Sequence, residues 1–360
     1  MSQKEILAEQ DATFELEDSE QPIPPSDIVA YNELRSCADL FRMHATGKLE
    51  IQPDFQREVV WKQDDQSRFI DSLVKQLPIP SMCFSLDYKT QRWKVIDGLQ
   101  RMSSIIRFLS QAPWQLSDLS DIHPKLRGTK NNELRDGSDE QKRLYALVED
   151  VSIPVTVIRC DYSQRNHLLY LFTIFHRLNS GGVRLTNQEI RNCIYSGPFN
   201  DELKEFDRTN ADWRVVKKRI WGSMDRFRSV EVLLRILAFS ENRHLYDGNL
   251  ARFLNDFMHA KTIQKSPPSV KDALSVTMAR ARQAFGDGRA GKMSLVLVEA
   301  LLIALYVKRD DLEGRSSAEV QAAYANMRSK PSFVESARYA VTSVDNVRTR
   351  LNAAVEAFTL

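Results

Sequence analysis

The sequence predicts an α+β fold, with a mixed α/β core in the first half of the chain and an all-helical second half. Three short apolar runs, at residues 81–86, 92–97 and 151–161, have the length and the flanking turns typical of strands. Beyond about residue 197 the strand signals fade and apolar residues recur at helical spacing. The chain has 360 residues, of which 42% are hydrophobic, so it is long enough to form two domains.

The first 110 residues alternate between helical and extended patterns. Residues 1–25 are acidic, poor in aromatic side chains and rich in proline at their end, which predicts a disordered or loosely docked tail. Apolar spacing predicts a helix over 26–46 and another over 64–77, which Pro78 ends. After the strand at 92–97, the positions from Met102 onward predict a helix with one apolar face.

The middle of the chain is predicted to leave the core and return to it. Residues 113–146 are polar, charged and irregular, and the segment "NNELRDGSDEQKR" (131–143) within them indicates an exposed excursion. The strand at 151–161 is followed by a helix over 164–178 and a glycine turn. Thr186 and Glu189 have the spacing of a capping box and predict a further short helix.

The second half is predicted to contain helices alone. The expected organisation is a tail (1–25), a mixed domain (26–197) and a helical domain (198–360). Helical periodicity covers residues 223–240, 249–260, 270–285, 293–308, 316–328 and 333–357.

The composition excludes several classes of protein. There are 50 lysines and arginines against 48 aspartates and glutamates, a net charge of +2, so a strongly polybasic nucleic-acid coat is excluded. No apolar run approaches the ~18 residues of a membrane span, and the first residues lack the pattern of a signal peptide. The four cysteines are scattered, which favours reduced thiols in the cytoplasm over a zinc site.

The stretch "VIDGLQRMSSIIRFL" (95–109) predicts a strand that turns at Gly98 into the N-terminus of a helix. Free backbone N–H groups and the helix dipole can bind an anion there. Arg101 can add a bidentate donor to phosphate oxygens, and Asp97 can bind a metal ion or orient a water. The alternative is an ordinary Asp-Gly turn followed by a solvated arginine.

The stretch "PDFQREVVW" (53–61) places Gln56 and Arg57 between two aromatic residues that can pack against a core. Packing of the aromatic residues would hold both polar side chains in fixed positions. The alternative is that the aromatic residues are core anchors and that Arg57 makes a structural ion pair.

The stretch "FHRLNSGGVRLTNQEIR" (175–191) joins the end of one helix to the capped start of the next. Its glycine turn, together with Arg177, Asn179 and Ser180, can wrap a phosphate or a sugar with backbone N–H groups. The alternative is a helix–turn–helix linker with a glycine C-cap. The sequence contains neither GxxxxGK[ST] nor GxGxxG nor GxSxG, so the common phosphate-binding and hydrolase motifs are absent.

Taken in order, the three stretches resemble the signature of one family, the N-terminal domain of GmrSD-type modification-dependent restriction enzymes. That signature reads P-x-F-Q-R, D-G-Q-Q-R and F-x-R-L-N-x-G-G-x-x-L-x-x-Q-E-x-R, and the resemblance spans about residues 30–200. It implies a ParB/sulfiredoxin-like α/β core that hydrolyses nucleoside triphosphates in defence against phage DNA. Leu99 stands where the family usually has glutamine, which puts intact hydrolysis in doubt.

The resemblance assigns roles to individual residues. The cofactor it implies is a nucleoside triphosphate with Mg²⁺, and Asp97 is the expected metal ligand. The expected catalytic residues are Asp97, Gln100, Arg101 and Arg57. The expected nucleotide-binding residues are Gln56, Arg57, Gly98, Arg101, Ser103, Arg177, Asn179, Ser180 and Gly181.

The resemblance also implies partners. Many family members continue into an HNH-type nuclease domain, but the helical half offers only His244 and His259 and no such site. The expectation is therefore a regulatory NTPase subunit that works with a separate HNH-type nuclease on modified phage DNA, with a homo-oligomer also considered. Two alternatives stay open: a DNA nuclease that uses the same core, and a non-catalytic nucleotide- or DNA-binding module.

A basic run in the second half is a candidate DNA contact. The segment "RVVKKRIW" (214–221) contains Lys217, Lys218 and Arg219 next to a tryptophan, a combination that can grip phosphates and stack a base. The alternative is the solvated edge of an amphipathic helix.

Overall fold

The computed structural model describes residues 24–51, 61–178, 185–220, 227–264, 269–286 and 292–359. The chain divides into two compact units. We call the part within Pro22–Gly182 the sheet unit and the part within Val183–Leu360 the helical unit. The expected domain limits of 26–197 and 198–360 stay a prediction, and the expected tail lies almost wholly outside the described residues.

The sheet unit is built on a five-stranded mixed sheet, which confirms the predicted fold class. The strand order is β1-β5-β3-β4-β2. Strand β3 runs parallel to β5 and β2 parallel to β4, whereas the β1–β5 and β3–β4 pairs are antiparallel. The strands are β1 Val29–Ser36, β2 Leu49–Glu50, β3 Met82–Asp87, β4 Trp93–Asp97 and β5 Ser152–Cys160.

Six α-helices of the described chain belong to this unit. Helices α1 and α2 each contact α3 and α5, and the apolar core includes side chains from four of the strands, β2 to β5. Helix α6 contacts β4 and buries its own apolar face. The helices are α1 Cys37–Ala45, α2 Gln63–Val74, α3 Leu99–Leu109, α4 Asn131–Asp136, α5 Asp139–Asp150 and α6 Arg165–Leu178, with a 3₁₀ turn at Pro124–Leu126.

The predicted helix over 26–46 is wrong in its first half. Residues Val29–Ser36 form strand β1, which pairs along its whole length with β5. The helix begins only at Cys37, where the Ser36 hydroxyl accepts a hydrogen bond from the Asp39 amide at 3.1 Å. The apolar spacing that predicted a longer helix included Leu34, which is an exposed strand residue. Pairing with a distant strand therefore overrides the local helical pattern.

The segment 113–146 differs from the prediction of an irregular stretch with an exposed excursion at 131–143. It contains helices α4 and most of α5, and its apolar side chains, such as Trp114 and Leu134, are buried in the core of the sheet unit. The buried Asn131 side chain joins this segment to the end of α3. Its amide donates to the Phe108 carbonyl at 2.9 Å, and its oxygen accepts from the Trp114 N–H at 2.7 Å. One buried side chain, Asn131, thus supplies hydrogen-bond partners for backbone groups at the end of α3 and in the segment that follows it.

The helical unit contains no strand among its described residues. Helix α13 is buried and apolar on all sides except at Glu299, and it contacts α10, α12 and α16. The predicted helix over 333–357 is two helices, and α8 and α9 were not predicted. The helices are α7 Asn187–Ile194, α8 Pro198–Thr209, α9 Ala211–Lys218, α10 Arg228–Asn242, α11 Leu250–Ile263, α12 Lys271–Phe285, α13 Leu295–Val307, α14 Ser317–Ser329, α15 Pro331–Ser336 and α16 Val344–Ala357. Of the helices described, none has both the length and the hydropathy needed to cross a bilayer.

Candidate functional site

The candidate site lies at the end of the sheet where three of its strands finish. The register of the strands places the C-terminal ends of β1, β2 and β4 there, so the chain leaves the sheet after Ser36, Glu50 and Asp97. Helices α1 and α3 both begin at this end of the sheet. The candidate residues Gln56 and Arg57 follow β2 in the sequence and lie outside the described residues.

Gly98 forms the turn from β4 into α3. Its φ of 95° is in the left-handed region, and a Cβ at this position would lie 2.5 Å from Met82 Cγ. The requirement for glycine is thus explained by the backbone and by Met82, rather than by space for a ligand. No side chain caps α3, and its first intrahelical hydrogen bond is donated by Met102 to the Gly98 carbonyl at 2.9 Å. The preceding amides, Leu99 to Arg101, have no intrahelical acceptor.

Asp97 and Arg101 form an ion pair across the first turn of α3, with Nη2 donating to Asp97 Oδ2 at 2.9 Å. Arg101 Nη1 also donates to the carbonyl oxygens of Pro80 and Ser81, which precede β3. Burial lowers the pKa of Arg101, although the Asp97 carboxylate opposes this shift. The guanidinium group therefore fastens the start of β3 to the end of β4.

Asp97 keeps one oxygen available. Its side chain is 35% exposed, and Oδ1 accepts no hydrogen bond from a described residue. Magnesium commonly uses one or two carboxylates together with substrate phosphates and water, so this oxygen fits a phosphate-bound Mg²⁺. Within the described ranges, no three His, Cys, Asp or Glu side chains come together as a metal-binding group.

Gln100 and Ser103 differ in their surroundings. The Gln100 side-chain oxygen Oε1 accepts a hydrogen bond from the Trp61 backbone N–H at 3.3 Å, which links the first turn of α3 to the residues just before α2. Ser103 is only 8% exposed, and its hydroxyl has no hydrogen-bond partner among the described residues. A buried hydroxyl without a partner is unusual.

The residues that surround this turn were not predicted from the sequence, because no local pattern marks them. Pro80, Ser81 and Met82 are brought to it by the pairing of β3 with β4. Cys83 lies opposite Asp97 in the ladder, and burial, reinforced by the Asp97 charge, raises the pKa of its thiol to about 12. Cys83 is therefore a thiol at neutral pH and a poor nucleophile.

The third stretch is divided between the two units. Arg177 is exposed on the last turn of α6, whereas Asn179, Ser180 and Gly181 lie outside the described residues. In the helical unit the predicted capping box is confirmed: the Glu189 N–H donates to the Thr186 hydroxyl at 3.3 Å, and the Thr186 N–H donates to the Glu189 carboxylate at 2.5 Å.

The end of the third stretch belongs to a buried ionic network. Arg191 is almost completely buried and pairs with Glu231, and its Nε donates to Gln188 Oε1 at 2.9 Å. Arg235 bridges Glu231 and Glu299, with 3.3 Å between Arg235 Nη1 and Glu299 Oε2. Burial raises the pKa of Glu231, but the two arginines outweigh it and lower the pKa overall. The sequence did not predict this structural role.

The candidate DNA contacts have local partners. Lys217 Nζ lies 3.1 Å from the Asp207 carboxylate, which also accepts a hydrogen bond from the buried Trp213 indole. The Arg219 guanidinium lies 5.8 Å from the centroid of the Phe285 ring. Lys218 is exposed, and the tryptophan of the basic run, Trp221, lies outside the described residues.

Residues 37–196 match the family described as the N-terminal domain of the GmrSD restriction endonuclease. The matched range holds the whole of β2 to β5 and all three candidate stretches, and it ends just after α7. Neither the curated proteins nor the solved structures contained a match to this chain.

Proposed function

We propose that this chain is a component of a restriction or defence system, because residues 37–196 match the family of GmrSD restriction endonuclease N-terminal domains. We propose further that its sheet unit binds a nucleoside triphosphate with Mg²⁺ and hydrolyses it. In this proposal the chain is a regulatory subunit in the cytoplasm. It works with a separately encoded HNH-type nuclease and responds to modified phage DNA.

One observation carries the proposal: the N-terminus of α3 has no side-chain cap and lies next to the partly exposed carboxylate of Asp97. Three backbone amides there have no intrahelical acceptor, and the helix dipole adds positive potential. A phosphate group can accept hydrogen bonds from these amides, and the positive potential stabilises its negative charge. Asp97 Oδ1 would hold the Mg²⁺ that accompanies the triphosphate, which neutralises charge as the phosphoryl group transfers.

The contacts of Arg101 suggest that it is a positioning residue. With Nη1 on two carbonyls and Nη2 on Asp97, its guanidinium holds the carboxylate in place. Other cations would then neutralise the charge of the phosphates. The family resemblance indicates Arg57 and Arg177 for this role. Gln100 would hold Trp61, the last residue of the stretch 53–61, near α3.

The test is release of inorganic phosphate from ATP, GTP, CTP and UTP with Mg²⁺. Asp97→Asn is expected to lower the turnover of the preferred nucleotide by about 100-fold or more, because a preorganised charge at the transferring group is lost. Nucleotide binding, measured by calorimetry, is expected to change far less. Asp136→Asn is the matched control, since Asp136 is also paired with an arginine, Arg135 at 2.8 Å, but is an exposed residue of α4.

Three results would contradict or redirect the proposal. Wild-type turnover and affinity in Asp97→Asn would place the site elsewhere. Nucleotide binding without turnover, with or without modified DNA, would indicate a non-catalytic module. Plasmid cleavage by the purified chain with Mg²⁺, abolished by Asp97→Asn, would indicate a nuclease that uses this core directly.

A further inference from the structure

Strand β1 forms an open edge of the sheet. It is first in the strand order, so one side pairs with β5 and the other side pairs with no described strand. Its eight residues pair with β5 without a register shift and contain no proline. Edge strands are often protected by prolines or bulges, and β1 has neither of these. Here Val29, Tyr31 and Leu34 are exposed apolar residues, and the Leu34 side chain is 70% exposed.

The backbone hydrogen bonds of β1 show which residues face outward. The Cys37 N–H, just after β1, donates to the Val151 carbonyl at 3.1 Å. In an antiparallel ladder the hydrogen-bonded positions alternate, so the odd-numbered residues of β1 direct their N–H and C=O groups to β5. The even-numbered residues, including Asn32 and Leu34, direct theirs to the open side.

The side chains of β1 are complementary to a second copy of the same strand. Glu33 and Arg35 lie on either side of Leu34, and their side chains already form an ion pair at 2.7 Å. In an antiparallel pair centred on Leu34, each Glu33 lies opposite the Arg35 of the other copy. A pair centred on Glu33 would instead place two glutamates directly opposite each other, which is unfavourable.

We propose that two copies of this chain associate through β1, antiparallel and with Leu34 on the two-fold axis. The two sheets become one continuous sheet, and the outward backbone groups of Asn32, Leu34 and Ser36 pair with those of the partner. The contact is isologous, because the same residues serve on both sides. It buries the exposed Leu34 side chains against each other on one face of the sheet and places Glu33 opposite Arg35 of the other copy on the other face.

A cysteine cross-link tests the contact and its register. In a hydrogen-bonded antiparallel pair the two Cα atoms are about 5.5 Å apart, which suits a disulfide. Leu34→Cys is therefore expected to form a disulfide-linked dimer under mild oxidation. Asn32→Cys is the matched control, since its two copies would be displaced by four residues, about 14 Å along the strand. The four native cysteines are buried and do not compete.

Charge exchange tests the same register without a cross-link. Glu33→Arg and Arg35→Glu each place like charges opposite one another, so each is expected to weaken self-association at least 10-fold in sedimentation velocity. Mixing the two variants places arginines opposite glutamates at both positions and is expected to restore a dimer. Circular dichroism shows whether each variant is folded, and the cysteine experiment decides if one is not.

Any of three outcomes would overturn the proposal. The first is a wild-type chain that is monomeric at every concentration tested. The second is equal cross-linking of the Leu34→Cys and Asn32→Cys variants, or cross-linking of neither. The third is a dimer that both folded charge variants retain unchanged, since the interface would then lie elsewhere. None of these outcomes bears on nucleotide hydrolysis at Asp97.

Discussion

Replacing Gly98 by alanine should show whether the fold or a ligand requires this glycine. The new Cβ would lie 2.5 Å from Met82 Cγ and 2.9 Å from Met82 Sδ, at a φ of 95°. A left-handed conformation costs an alanine about 1–2 kcal/mol, and overpacking a core costs about 1–3 kcal/mol. The sheet unit is therefore expected to lose about 2–5 kcal/mol of unfolding free energy, the sum of these two costs.

Two further variants separate the two costs. Gly47 also has a positive φ, 71°, but has nothing within 4 Å of its Cβ position. Gly47→Ala is therefore expected to cost about 1–2 kcal/mol, from the backbone alone. In a Met82→Ala background the colliding Cγ and Sδ are absent. There, Gly98→Ala should cost little more than Gly47→Ala, which corresponds to a coupling energy of about 1–3 kcal/mol.

Hydrogen exchange of peptides from β4 and α3, with urea denaturation, measures these free energies for the sheet unit. The reasoning is refuted if Gly98→Ala costs the same whether residue 82 is methionine or alanine. It is also refuted if Gly98→Ala leaves stability unchanged and abolishes nucleotide binding, since the glycine would then serve the ligand.

Two other buried polar contacts lead to predictions. Asn131→Ala leaves the Trp114 backbone N–H and the Phe108 carbonyl without their partner, and it is expected to lower the unfolding free energy in urea by about 2–4 kcal/mol. Asn132→Ala is the control, because it removes an oxygen that already lacks a partner among the described residues and should cost less than about 1 kcal/mol. Glu231→Gln removes the carboxylate that two buried arginines share and is expected to destabilise the helical unit by about 3–5 kcal/mol. The folded-state pKa of Glu231 lies below its ordinary value of 4.5, so its stabilisation is complete above that value and is lost as the pH falls through the lowered pKa. The melting temperature of the wild type should therefore fall more steeply below pH 4.5 than that of Glu231→Gln, and parallel curves would contradict this assignment.

Local chemistry was sufficient to predict several elements. The Asp97-Gly98 turn into α3 follows from glycine in a left-handed conformation before an amphipathic run. The capping box of Thr186 and Glu189 follows from their spacing, and the strands around 82–87 and 93–97 follow from short apolar runs between turns. In each case residues that are neighbours in the sequence make the interactions that select the structure.

Other features depend on partners that are distant in the sequence. The interpretation of Arg101 as a free phosphate ligand did not include the carbonyls of Pro80 and Ser81, because only the pairing of β3 with β4 brings them to it. The break between Ser336 and Val344 also has no strong local signal, since the apolar periodicity continues across it.

The sequence by itself determined the mixed first half, the helical second half, the turn at Asp97-Gly98 and the match of residues 37–196 to a known family. Only the tertiary structure decided that Val29–Ser36 is an edge strand, that Asn131 holds a buried segment in place and that Arg191 belongs to an ionic network. The reason is physical. A turn or a cap is stabilised within a few residues, whereas a strand, a buried amide or a buried charge is stable only when a distant part of the chain supplies its partner.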